Sequence, residues 1–257
     1  MVIFMRKAIL VIDRGSREPE VTEELRAICD MIRARGGYEL STHCFLEVIP
    51  PYIKEGIDYC LSNNIDYIVV MPYFLYPGMK LKEAVKQCAK ICHNMKIRVL
   101  FTKPLSYHVI LQKLIFERIN QLKSKMNFVI HNRDCNILVI GHGSSDRAAR
   151  TAFEFTINGL KPYYNSVNYC FLELEKPDIA EGIRKVMNVK PDHLIIVPYF
   201  LHEGAHVKRD INSELQLALA KYSLKEVFLT KHLGAGDELV EVILDRAREV
   251  EGRIVFR

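Results

Sequence analysis

The chain repeats itself, and this constrains its fold more than any other feature of the sequence. Ile9-Leu-Val-Ile-Asp-Arg-Gly-Ser16 lines up with Ile137-Leu-Val-Ile-Gly-His-Gly-Ser144, and Cys44-Phe-Leu-Glu47 lines up with Cys170-Phe-Leu-Glu173. Glu55-Gly-Ile57 matches Glu181-Gly-Ile183, Pro72-Tyr-Phe-Leu75 matches Pro198-Tyr-Phe-Leu201, and Arg118 matches Arg246. The offset stays between 126 and 128 residues throughout. Collinear blocks at one offset mark a tandem duplication, so whatever one half folds into, the other should fold into as well.

Each copy alternates short β-branched runs with longer amphipathic stretches. The runs are Ala8–Ile12, Leu40–Phe45, Tyr67–Met71 and Arg98–Phe101, then Asn136–Ile140, Val167–Phe171, His193–Val197 and Glu226–Leu229. Strand–helix alternation at this spacing implies βαβ units and a parallel sheet. The expected fold is α/β, with two tandem flavodoxin-like domains related by a pseudo-twofold axis. Each would be a four-stranded parallel sheet with helices on both faces. Gly36-Gly37 should stop the first long helix. The polar segment between the copies has no counterpart, which puts domains at 1–124 and 136–257 with a linker at 125–135.

Composition narrows the function. No apolar run reaches the ~20 residues of a membrane span, and the first residues lack the charge order of a signal peptide. The expectation is a cytoplasmic protein with no membrane partner. The net charge of +5 comes without a basic run or aromatic–basic interleaving, so nucleic acid is not expected. Seven cysteines without CxxC spacing read as reduced thiols, with Cys29, Cys44, Cys60 and Cys170 inside apolar stretches. Cys88 and Cys92, with His93 next to them, could form a metal pair, but a packed helix face is the simpler reading.

The polar chemistry gathers in the second copy. In an open parallel sheet, ligands bind beyond the carboxyl ends of the strands. His142 follows the first strand there, Glu173 the second, and His202 and His206 lie in the turn after the third. Two imidazoles and a carboxylate suit a borderline divalent cation, and an incomplete ligand set suits a site that gives its metal away. His202, His43 and His193, taken singly, read as ordinary polar residues. Glu173 is either a ligand or proton acceptor, or a structural acceptor for loop amides, since Glu47 stands in the copy without histidines. Gly141 and Gly143 allow a sharp exit from the sheet and close approach of a flat ligand. Ser16 and Ser144 fit a helix cap near Asp146 and its counterpart. His206 falls at the first turn of the next helix, whose dipole disfavours imidazolium.

In the first copy Arg14 replaces His142, Lys80 replaces His206 and Tyr76 replaces His202. Fixed cations repel a metal ion. They could instead hold the carboxylates of an anionic substrate across an interdomain cleft, or the first copy has drifted after losing its site.

The Gly-His-Gly-Ser144 turn, Phe171-Leu-Glu173 and Pro198-Tyr-Phe-Leu-His-Glu-Gly-Ala-His-Val-Lys208 together resemble the sirohydrochlorin chelatases, over essentially residues 7–250. The resemblance implies a lyase that inserts a divalent metal as substrate, Fe2+ or Co2+, into sirohydrochlorin, for sirohaem or a cobalamin precursor, and the same ligand types accept Ni2+. It implies His142 and His206 as catalytic metal ligands, with Glu173 supporting them. The substrate is an anionic tetrapyrrole with eight carboxylates, so Arg14, Lys80, Lys208 and Lys231 become candidate contacts, with Ser144 in the turn. A fused pair of domains should act as a monomer with its site in the cleft. No P-loop or Gly-x-Gly-x-x-Gly turn is present, so no nucleotide is expected. The alternative is a carrier that binds tetrapyrrole or metal without turnover. A histidine phosphatase wants arginine where Gly141 stands, and Gly141-His-Gly-Ser-Ser145 does not fit a hydrolase elbow.

Overall fold

The computed structural model describes residues 5–93, 95, 97–202, 204–222 and 226–252, the side chains of 205–208 excepted. The chain alternates strand and helix throughout: β1 (Lys7–Asp13), α1 (Pro19–Gly36), β2 (Leu40–Phe45), α2 (Ile53–Ser62), β3 (Tyr67–Pro72), α3 (Met79–Cys92), β4 (Arg98–Phe101) and α4 (Val109–Lys123). After a single 3-10 turn at Asn132–Asp134 come β5 (Cys135–Gly141), α5 (Arg147–Leu160), β6 (Ser166–Phe171), α6 (Ile179–Met187), β7 (His193–Pro198), α7 (Ala205–Leu219), β8 (Glu226–Leu229) and α8 (Asp237–Glu251). The eight expected strands are all present, displaced at most by a residue at an end. α1 begins on Pro19 and stops at Gly37, whose φ of 64° lies in the left-handed region that glycine enters without penalty.

Two four-stranded parallel sheets result, ordered β2-β1-β3-β4 and β6-β5-β7-β8. Parallel strands are covered on both faces, which is why β1 and β5 are buried at nearly every residue. In the first sheet Ala8, Leu10 and Ile12 meet α2 and α3 through Ile53, Ile57, Cys60, Ala84 and Cys88. In the second, Leu138 and Ile140 meet α6 and α7 through Ile179, Ile183, Ile211 and Leu215. Cys88 therefore packs in a core, and Cys92 packs against it. Among the described residues no three histidine, cysteine or acidic side chains gather as a metal group, and no helix is long and apolar enough to cross a membrane.

The compact units do not follow the repeat. The first comprises residues 1–106 with 235–257, and the second comprises 107–234. The halves expected at 1–124 and 136–257, with 125–135 between them, exchange their last helices in packing. The cause is where each apolar face finds cover. In the first unit, α8 lays Leu239, Val240, Ile243 and Leu244 into the interior beside α1, β3 and β4. In the second, α4 buries Ile110, Leu111, Leu114 and Ile115 beside α5 and β7. Polar contacts agree. Lys7 and Tyr67 reach Glu251 at 3.2 and 3.0 Å, and Arg35 reaches Asp237 at 3.1 Å.

One arginine in each exchanged helix reads backbone carbonyls. Buried Arg246 donates to the Pro104 and Ser106 oxygens at 3.2 and 2.7 Å and pairs with Glu249. Arg118, its repeat counterpart, donates through Nε to the His232 and Leu233 oxygens at 2.9 and 3.0 Å.

Candidate functional site

In the second unit the strand order changes direction between β5 and β7, because β5 leads out to β6 on one side and β7 lies on the other. Loops leaving the carboxyl ends of such a pair open a crevice between them, and ligands of open α/β sheets sit there. His142 is the first residue beyond β5, and the chain from His202 into α7 follows β7. The ends are level: Ile140 is in register with Pro198, and Gly141 with Phe171. Beyond the sheet, Tyr199 N–H donates to the Ile140 oxygen at 2.8 Å, while Leu172 and Glu173 N–H donate to Gly141 and His142 oxygens at 2.9 Å each. The His142 and Glu173 loops are thus zipped backbone to backbone.

The half-buried His142 ring lies edge-on to Phe200, with centroids 6.3 Å apart, and its Nδ1 is 3.3 Å from the Gly143 oxygen. With the proton on Nδ1 directed at that carbonyl, Nε2 holds the lone pair a metal ion needs. Gly143 has φ of 90°, and a Cβ there would collide with the Glu173 carbonyl oxygen, so the turn admits only glycine. Glu173 is exposed, and among the described residues its carboxylate makes no hydrogen bond. Leu174, the next residue, has φ of 64° and closes a three-residue γ-turn in which Glu175 N–H donates to the Glu173 oxygen at 2.7 Å. Burial, then the charges of Asp178, Asp210 and Glu173, push up the carboxyl of Glu214 on α7.

The backbone of His206 is the second residue of α7, whose cap is Gly204. The side chains of His206 and Lys208 lie outside the described residues. His202 is half-buried in the loop before them, and Lys231 is exposed at the end of β8. Ser144 is not the helix cap. Asp146 caps α5 by accepting from Ala148 N–H at 3.0 Å, and the Ser144 hydroxyl accepts from Asp146 N–H at 3.1 Å, one turn earlier. His193 starts β7 at the opposite sheet edge and meets Glu226 at 2.6 Å. His43 stacks edge-on against Phe45, and burial, then Arg26, lowers its pKa.

The first unit serves as an internal control. Arg14, Glu47 and Lys80 occupy the positions of His142, Glu173 and His206. They converge: Arg14 Nε donates to one oxygen of Glu47 at 2.8 Å, and Lys80 Nζ donates to the other at 2.8 Å. The Lys80 bond first, then that of Arg14, holds the Glu47 carboxyl below the usual carboxylate range. Lys80 also pairs with Glu83 at 3.2 Å, so the two cations face two carboxylates. The backbone frame is the same, with Glu47 N–H on the Arg14 oxygen at 3.0 Å, φ of 101° at Gly15, and a γ-turn at Val48. In the first unit, therefore, side chains from the three loops reach one point.

Two residues of the second unit carry no signal in the repeat, because the copies differ there. Glu175 stands opposite Ile49, and Arg150 opposite Thr22. The Ser144 N–H donates to Glu175 Oε2 at 2.9 Å, so the loop amide is taken by Glu175 and not by Glu173.

The family model for CbiX matches residues 8–122 and again 136–250. A sirohydrochlorin cobaltochelatase from Priestia megaterium is 26% identical, over 96% of this chain and 81% of its own. A sirohydrochlorin ferrochelatase from Bacillus subtilis is 24% identical, over 98% of this chain and 96% of its own. Among solved structures, SirB from Bacillus subtilis with Fe3+ superposes with a TM-score of 0.82 at 23% identity, covering 98% of both chains.

Proposed function

The chain belongs to the CbiX family, and on that premise we propose that it is a metal chelatase that inserts iron(II) or cobalt(II) into sirohydrochlorin. The names of its relatives, ferrochelatases and cobaltochelatases alike, support the reaction class and leave both metals open as substrate. The observation that carries the assignment of residues is the Arg14–Glu47–Lys80 triad. It supports a single meeting point for the equivalent loops, which in the second unit carry His142, Glu173 and His206.

Insertion replaces two pyrrole N–H protons by one divalent ion, so the site must grip the ion loosely and take up protons. His142 and His206 receive the metal, with Glu173 as third ligand. One imidazole accepts a pyrrole proton as the ion passes to the ring nitrogens, and solvent takes the second. A set of three ligands leaves coordination positions open for the incoming nitrogens. Ser144, Lys208, Arg14 and Lys80 are assigned to the carboxylates of the ring. Arg14 and Lys80 must then share themselves between Glu47 and the substrate. The reading includes a cytoplasmic monomer that needs no second copy.

The test is sirohydrochlorin metallation followed by absorbance with Fe2+, Co2+ and Ni2+. His142→Ala with His206→Ala should abolish turnover while the fold survives, and wild-type turnover in that variant refutes the ligand assignment. Arg14→Ala with Lys80→Ala should raise KM and leave kcat, whereas an unchanged KM favours a decayed first site. Stoichiometric binding of ring or metal without turnover by the wild type returns the chain to the carrier alternative.

A further inference from the structure

We propose that Glu175 is a positioning residue of the metal centre, stapling the loop that carries His142 to the loop that carries Glu173. The inference rests on the chelatase reading of that site and adds a residue to it. Its side chain is only 13% exposed, although it is a carboxylate in a surface loop. A nearly buried carboxylate needs partners, and Glu175 has two kinds. Oε2 accepts the Ser144 N–H at 2.9 Å, and Oε1 lies 3.7 Å from the guanidinium of Arg150.

Arg150 is itself locked. It donates to Glu154 at 3.1 Å, to the Tyr169 hydroxyl at 3.1 Å and to the Lys176 oxygen at 3.2 Å, and its guanidinium lies 5.6 Å from the Phe171 ring centroid. Tyr169 in turn donates to Glu154 at 2.5 Å. The chain of contacts runs from α5 and β6 through Arg150 and Glu175 to the amide two residues beyond His142.

The first unit shows what this replaces. There the turn is held from within, because buried Asp13 accepts the Gly15 N–H at 2.8 Å. The second unit has Gly141 at that position, which has no side chain to do this. The anchor comes instead from the neighbouring loop, two residues after Glu173. None of its members is kept in the first unit, where Thr22, Arg26, His43 and Ile49 stand for Arg150, Glu154, Tyr169 and Glu175. The network therefore occurs in the half with the histidines and is missing from the half without them. Moving the anchor to the Glu173 loop adds a side-chain tie to the backbone bonds that already join the two ligand loops.

The test uses the full chain and Co2+ alone, followed by its visible d–d absorption, with sirohydrochlorin kinetics alongside. Glu175→Ile, which installs the residue of the first unit, should weaken Co2+ binding by about 10–100-fold, the usual effect of losing a group that orients a ligand. It should also change the band shape and lower kcat by more than it raises KM for the tetrapyrrole, since it loosens two metal ligands and only one of the groups assigned to the ring. Glu175→Gln keeps an oxygen that accepts the Ser144 N–H and should restore most of both. Wild-type Co2+ affinity and band shape in a folded Glu175→Ile protein overturn the proposal, and so does a Gln variant as impaired as the Ile one. Should the Ile variant not fold, Arg150→Met loosens the staple from its other end, and unchanged Co2+ binding there overturns the proposal equally. A wild-type protein that neither binds Co2+ nor metallates the ring sinks the chelatase reading itself, a result distinct from all of these.

Discussion

Gly143 and Gly15 place the same demand on the chain, at loops with different work to do. Both have positive φ, and at both a Cβ would strike the carbonyl oxygen of the glutamate across the turn. The strain and the collision each cost about 1–3 kcal/mol. Gly143→Ala and Gly15→Ala should therefore lower the thermal midpoint by similar amounts. Only Gly143→Ala should also weaken Co2+ binding, because it displaces the carbonyl of Glu173 and the imidazole of His142 together. Equal loss of Co2+ affinity in both variants would count against the ligand assignment. At this scale the sequence was readable where the copies agree in backbone and differ in chemistry, as at Arg14 and His142. It was silent on Glu175, whose role depends on a missing side chain at Gly141, and it misplaced the cap, because Ser144 and Asp146 both suit a helix start.

Helices α4 and α8 were legible as helices from their apolar spacing, and their owners were not. Periodicity tells which face of a helix is buried but not which sheet buries it, and both copies end in near-identical patterns. The arginines show how firmly each is seated. Arg246→Met removes a buried guanidinium and leaves the Pro104 and Ser106 oxygens without their donor, while Glu249 keeps only Lys103 at 3.0 Å, a loss of about 2–4 kcal/mol in chemical denaturation. Arg118→Met, at a half-buried position, should cost less, about 1–2 kcal/mol. The reverse order would mean that the carbonyl contacts do not hold these helices. The strands, in contrast, were legible almost to the residue, because parallel strands buried on both faces stand out as short β-branched runs between polar helix surfaces.

For the molecule as a whole, the exchange predicts that the repeat is not the folding unit. Residues 1–124 expressed alone contain a sheet without the helix that covers β3 and β4, plus a helix without its sheet. Residues 136–257 are in the mirror predicament. Each fragment should show little cooperative unfolding by itself, and the two mixed should recover a cooperative transition and copurify. Fragments that fold separately and ignore each other would refute the exchange. The duplication made the two-sheet architecture plain from sequence, whereas the route of the chain between sheets depended on tertiary packing that no local pattern encodes.

The swapped helix also sets a timetable for synthesis. The first sheet is complete once Phe101 has been made, yet the apolar face of β3, β4 and α1 waits for residues 237–251. On a ribosome adding ~5–20 residues per second, that surface stays bare for about 7–30 seconds while the second unit is made around α4. The half with the histidines can close first, and the half without them is sealed only when residues 237–251 emerge.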